Sequence, residues 1–137
     1  MKQRFVLDAW AILAFLQGEQ PAAERVKELL DQGSLGEVEL FMSIVNLGEV
    51  IYSVGKTRGE NEADAVLEGI RQLPCMIISA TDDAVLMAAR FKIRYTISYA
   101  DAFAIAAAQE LTAILVTGDP EIKQLEDVIS LETLERW

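Results

Sequence analysis

Arg4-Phe5-Val6-Leu7-Asp8-Ala9-Trp10-Ala11-Ile12-Leu13-Ala14-Phe15-Leu16 is the stretch from which the fold follows. Arg4 to Leu7 is a short apolar run that predicts a strand; it stops at Asp8, after which Ile12, Leu13, Phe15 and Leu16 cluster at helical spacing. Pro21 opens a second helical pattern through Ala22, Val26, Leu29 and Leu30, with Gly33 where a helix C-terminus is expected. The strand-then-helix change returns at Glu39 to Met42, which meets Ser43 and a helix carrying Val50, Ile51 and Val54 toward Gly55 and Gly59. A further helix over Asn61 to Leu73 is stopped by Pro74 before Cys75 to Ile78, a run that predicts a buried strand. Asp82 or Asp83 is expected to cap a helix with Val85, Leu86, Ala89 and Phe91, and Ser98 introduces an alanine-rich helix up to Leu111. Ala113 to Val116 reads as a strand, Pro120 starts a short helix, and the apolar run Val128 to Leu131 closes the pattern. No repeat, linker or low-complexity segment interrupts it, so residues 1–137 are read as one domain.

Short apolar strands alternating with helices predict an α/β fold whose mainly parallel sheet is buried on both faces. In such sheets ligands collect beyond the carboxyl ends of the strands, so the residues just after each strand are where chemistry is sought. The composition restricts that chemistry. A chain of 137 residues with 52% hydrophobic and 25% charged side chains is globular. Its net charge of −10 provides no broad basic surface for a polyanion, which would need a local device. The absence of histidine excludes Ser-His-Asp triads, His-Glu-x-x-His metalloproteases and His-ligated zinc. The single cysteine, Cys75, excludes an intramolecular disulfide or thiolate cluster, is expected to pack as a small hydrophobe, and makes a cytoplasmic setting the default. Lys2 to Arg4 followed by an apolar stretch imitates a signal peptide, but Asp8 interrupts it and it is too short to cross a bilayer; a soluble chain without a membrane partner is expected.

Four acids stand out by position. Asp8 follows the first strand directly, and Asp119 follows the fourth within Thr117-Gly118-Asp119-Pro120; each also has an ordinary use as a helix cap. Asp101 lies three residues after Ser98, the spacing of a capping box. Glu49 sits inside an apolar helical pattern with no capping work, and Gly48 beside it hints at a close approach. Two acids follow strands and two lie early in helices, so all four are expected at one rim of the sheet. Four gathered carboxylates repel one another or take up protons unless a cation joins them. With neither histidine nor a thiolate cluster the ligands are hard oxygens, which suit Mg²⁺ or Mn²⁺. The chemistry natural to such a site is phosphodiester hydrolysis by metal-activated water.

On these residues the chain resembles PIN domains, most of all the VapC-type ribonuclease toxins of bacterial and archaeal toxin–antitoxin pairs. Val6-Leu7-Asp8-Ala9-Trp10, Asn46-Leu47-Gly48-Glu49-Val50, Tyr99-Ala100-Asp101-Ala102-Phe103 and Leu115-Val116-Thr117-Gly118-Asp119 match that family's acidic motifs in order, over nearly the whole chain. The resemblance implies a three-layer α/β/α sandwich around a mainly parallel sheet of about five strands. It implies that Asp8, Glu49, Asp101 and Asp119 bind Mg²⁺ or Mn²⁺ with Thr117 in support, and that the chain cuts RNA to leave a 5′ phosphate and a 3′ hydroxyl. It further implies a homodimer and a small antitoxin protein as partner. The antitoxin would lie in an apolar groove between the first two helices, with Phe15, Leu16, Val26 and Leu30, and the third, against the plainer reading of those residues as ordinary core. Two positions depart from the pattern: Ala9 and Trp10 stand where many relatives have a hydroxyl residue after the first acid, and Asn46 where they have one near the second.

Lys56 with Arg58, and Arg90, Lys92 and Arg94, are candidates to rim the cleft and hold phosphates, against the simpler reading as solvated helix ends. Tyr95 and Tyr99 read more simply as packing residues than as base-stacking ones. Two rival functions stand beside the nuclease: another Mg²⁺-dependent phosphohydrolase, or a non-catalytic interaction module on the same scaffold. The first is disfavoured because an aspartyl-phosphatase would want a second acid where Trp10 stands.

Overall fold

The computed structural model describes residues 1–137. Its elements follow in the order β1 (Gln3–Leu7), α1 (Ala9–Gln17), α2 (Ala22–Ser34), β2 (Val38–Ser43), α3 (Ile44–Arg58), α4 (Glu60–Arg71), β3 (Met76–Ile78), α5 (Asp82–Arg94), α6 (Tyr99–Leu111), β4 (Ile114–Thr117) and β5 (Leu131–Thr133), with a short 3₁₀ turn at Ile122–Leu125 before β5. The five strands form one sheet in the order β3-β2-β1-β4-β5, and every neighbouring pair is parallel. The chain winds outward from β1 on both sides, so a topological switch point lies between β1 and β4, where Leu7 pairs with Val116.

Alternate residues of the central strands face opposite layers. Phe5, Leu7, Leu40, Met42 and Val116 join the core beneath α1 to α4, whereas Val6, Phe41 and Leu115 join the core beneath α5 and α6. This is the α/β/α sandwich, and it explains why the buried segments Phe5–Leu7, Leu40–Met42 and Leu115–Val116 are apolar without alternation. Helix α6 is buried from Asp101 to Ala108; its alanines let it sit against both α3 and α5 without a polar face. No helix is long and apolar enough to cross a membrane.

Several local expectations need correction. The run Cys75 to Ile78 supplies an edge strand with Met76 63% exposed, because β3 pairs on one side only. Helix α5 is capped by Thr81, whose hydroxyl accepts from the Ala84 amide at 3.1 Å, and Asp82 and Asp83 occupy its first turn. Helix α2 runs through Gly33 to Ser34; a Cβ at Gly33 would lie 2.9 Å from the Leu40 side chain, so the glycine serves the packing of α2 on β2 instead of ending the helix. After Pro120 only a 3₁₀ turn forms. Cys75 is half-buried just outside β3, and burial pushes its thiol up to about 12.

Candidate functional site

Asp8 enters the site through backbone geometry. Its amide extends the β1–β4 ladder by donating to the Val116 carbonyl at 3.4 Å, and its Oδ1 accepts from the Ala11 amide at 2.9 Å, capping α1. The cap and the site position are therefore compatible uses of one carboxyl group. Asp8 is only 2% exposed, and its acidity falls accordingly: burial pushes the carboxyl up to about 7. Hydrogen bonds from the Thr117 hydroxyl and the Ala11 amide oppose that rise, while the charges of Asp119 and Glu49 add to it.

Asp119 hangs from the end of β4. Its amide donates to Thr117 Oγ1 at 3.0 Å, and its Oδ1 accepts from the Glu121 amide at 2.9 Å, an Asx turn that swings the chain back over the sheet edge. Thr117, 2% exposed, thus holds the Asp119 backbone with its hydroxyl close to the Asp8 carboxyl. Asp101 stands in the first turn of α6, where Ser98 Oγ accepts from its amide at 3.1 Å. That is half of a capping box; the Asp101 carboxyl lies against Asp119 instead of returning to the cap. Burial first, then Asp119 and Asp8, raise its pKa, and Ser98 opposes the shift. Glu49, half-buried on α3, is raised by burial and by Asp119.

The four acids named from the sequence therefore meet at one place, each within electrostatic reach of Asp119 or Asp8. They come from the ends of β1 and β4, the second turn of α3 and the first turn of α6, all at the carboxyl edge of the sheet beside the switch point. A fifth acid escaped the sequence reading. Asp101, Asp119 and Glu121 each place a carboxylate oxygen within 4.8 Å of the others, close enough for one cation to bridge. Glu121 is exposed and follows a proline, so it looks like an ordinary first-turn acid; the signal was its spacing of two from Asp119.

Two further residues stand close to the acids in the chain. Asn46, one turn before Glu49, is 1% exposed; its Nδ2 donates to the Ala100 carbonyl at 2.9 Å and its Oδ1 has no donor. Trp10 lies on Gly118, where a Cβ would overlap its ring, and the Arg136 guanidinium stands 5.2 Å over that ring. Gly118, not Gly48, is the close approach: Gly48 is exposed with open space above it. The donor set, all carboxylate oxygens, fits a hard divalent cation, because protons or a cation must offset the gathered charge.

The basic residues divide. Lys92 Nζ donates to the Ile97 carbonyl at 2.7 Å and Lys56 sits 5.7 Å over the Tyr52 ring, whereas Arg90 and Arg94 are exposed. Tyr99 stacks on Phe103 at 5.3 Å and Tyr95 packs on Phe91 at 6.4 Å. Arg58 lines a separate groove of about 210 Å³ between α1, α3 and α4, with Leu13, Leu16, Val54, Glu62 and Val66. Val26 and Leu30, expected along an apolar groove, are core residues instead, because α2 turns them toward the sheet.

The sequence model for the PIN domain matches residues 5–128. No curated protein matches the chain. Among solved structures, VapBC2 from Rickettsia felis, bound to a DNA fragment from its promoter, superposes with a TM-score of 0.73 at 16% identity, over 97% of this chain and 100% of that one. VapC20 of Mycobacterium tuberculosis, described as a sarcin-ricin loop cleaving toxin, gives 0.69 at 17% identity over 88% and 93%. FitAcB from Neisseria gonorrhoeae gives 0.66 at 20% identity over 93% and 95%. At these identities the likeness is one of fold.

Proposed function

This chain belongs to the PIN-domain family, and from that premise we propose that it is a Mg²⁺- or Mn²⁺-dependent endoribonuclease, the toxin of a toxin–antitoxin pair. The observation that carries the reading is the meeting of Asp8, Glu49, Asp101 and Asp119 at the sheet's carboxyl edge, where burial and mutual repulsion raise the pKa values of Asp8, Glu49 and Asp101. Those four acids would hold the cation, with Glu121 at its exposed side and Thr117 holding the Asp119 backbone close to the Asp8 carboxyl. Bound there, the cation supplies activated water and charge stabilisation for phosphodiester hydrolysis, leaving a 5′ phosphate and a 3′ hydroxyl. The chain's own share is positional. The Asx turn and the α1 cap hold two carboxylates rigid, and the alanine-lined α6 sets the third at its buried end.

The exposed guanidinium groups of Arg90 and Arg94, ahead of α6, are suited to backbone phosphate and offset locally a chain of net charge −10. The groove between α1, α3 and α4, apolar at its floor and edged by Arg58 and Glu62, suits a short amphipathic segment of a small antitoxin protein. A homodimer in the cytoplasm completes the proposal. The test is to incubate the partner-free chain with total RNA and Mn²⁺ or Mg²⁺, with EDTA and Asp101→Asn as controls, and to map product ends. Discrete cuts bearing 5′ phosphates, abolished by both controls, are expected. RNA left intact by a chain shown to bind Mn²⁺ would instead favour a non-catalytic interaction module.

A further inference from the structure

We propose that Asn46 is a positioning residue of the acid cluster, which joins the helices carrying Glu49 and Asp101 and offers its side-chain carbonyl oxygen to a water of the bound cation. The inference rests on the reading of the acids as a cation site. Asn46 precedes Glu49 by three residues, so the two share a face of α3. Its Nδ2 donates to the Ala100 carbonyl at 2.9 Å, on the residue immediately before Asp101. One amide thus fixes the separation of two acids that belong to different helices.

The other end of the amide is unexplained by the fold. Asn46 Oδ1 is buried with no donor, the one side-chain polar atom in the chain so placed, and an orphaned buried acceptor costs about 1–3 kcal/mol. Reversing the amide brings no relief, since it would set Oδ1 against the Ala100 carbonyl, acceptor to acceptor. The neighbouring acids can donate to it only while they hold a proton; once a bound cation keeps them ionised they only accept. In the cation-bound site the donor must then come from a ligand or its water. Water on a divalent cation is such a donor, and Mg²⁺ keeps several of its waters when protein-bound. Groups that hold ligands in this indirect way typically contribute about 10–100-fold in metal affinity.

Asn46→Thr and Asn46→Val test this, because the two side chains match in shape and differ by one hydroxyl, which can donate to the Ala100 carbonyl and accept from water. Mn²⁺ titration calorimetry on the full chain, with melting in EDTA as the control for folding, is expected to show Asn46→Val weakened about 10–100-fold and Asn46→Thr within about threefold of the parent. The Asn46 side-chain amide signals, identified by their absence in Asn46→Thr, are expected to shift when Mg²⁺ is added to the parent. Equal Mn²⁺ affinity in the Thr and Val variants, or amide signals unmoved by Mg²⁺, would overturn the inference and leave Asn46 a packing residue. If Asn46→Val does not fold, Asn46→Leu takes its place against the Thr variant under the same criterion. A parent that binds no Mn²⁺ would overturn the cation reading as well, so the two failures are distinguishable.

Discussion

Replacing Asp8 by asparagine is expected to stabilise the metal-free chain while removing the activity proposed for it. A carboxyl held at about 7 instead of 3.8 costs about 4 kcal/mol to ionise in the folded state, at about 1.4 kcal/mol per tenfold change in proton affinity. Because the folded value lies above the unfolded one, the native state holds this proton longer; the associated stability is complete below about pH 3.8 and is lost as the pH rises through about 7. At pH 8 the parent therefore bears the whole cost. Asparagine never ionises, and its Oδ1 can still accept from the Ala11 amide, so the α1 cap survives. For a domain of this size a gain of about 2–4 kcal/mol is roughly 10 °C in melting temperature. Thermal melts of both chains in EDTA at pH 8 and pH 5 measure it. At pH 5 the native carboxyl is largely protonated, and the gain should fall to less than about 2 kcal/mol. A variant no more stable than the parent at pH 8, or a gain equal at both pH values, would refute the reasoning that buried charge at Asp8 destabilises the empty site.

Other perturbations follow from the same geometry. Mn²⁺ at about a hundredfold over its Kd should stabilise the parent by about 2.7 kcal/mol and the Asp8→Asn chain by much less, as melts in matched buffers would show. Gly118→Ala must displace the Trp10 ring, so we expect a loss of about 1–3 kcal/mol together with weaker Mn²⁺ binding, since Asp119 is the next residue. Calorimetry of Glu121→Gln should show a smaller loss of Mn²⁺ affinity than Asp119→Asn, because Glu121 is exposed while Asp119 reaches the three acids whose pKa values are raised. Cys75, with its thiol near 12, should react with a disulfide reagent at pH 8 only after unfolding.

The alternation of strand and helix was legible because turn residues such as Pro74 and Gly59 separate runs whose periods differ. The rim position of the acids was legible for a related reason: in a parallel sheet every strand ends on the same side, so an acid's distance from the preceding strand fixes its end of the molecule. What the sequence did not disclose depends on neighbours distant in the chain. That Met76 lies on a sheet edge is a fact of strand order, not of the run it belongs to. The groove is built with Val66 of α4, whose partners α1 and α3 are named by no local pattern. Gly48 and Gly118 are alike on paper, and only the approach of Trp10 separates them. Thr81 takes the cap from Asp82 and Asp83 because one residue of register decides which side chain reaches the free amides.

The seat of Trp10 against Gly118 also equips the chain with an optical reporter. Of its two tryptophans, Trp137 is 96% exposed, whereas Trp10 is half-buried between the Asp119 loop and Arg136. Acrylamide quenching would therefore separate the two emitters, and in a Trp137→Phe chain the remaining fluorescence comes from an indole touching the residue next to Asp119. Any event that moves that loop, whether cation, substrate or partner, becomes a colour or intensity change readable in stopped flow, without a label.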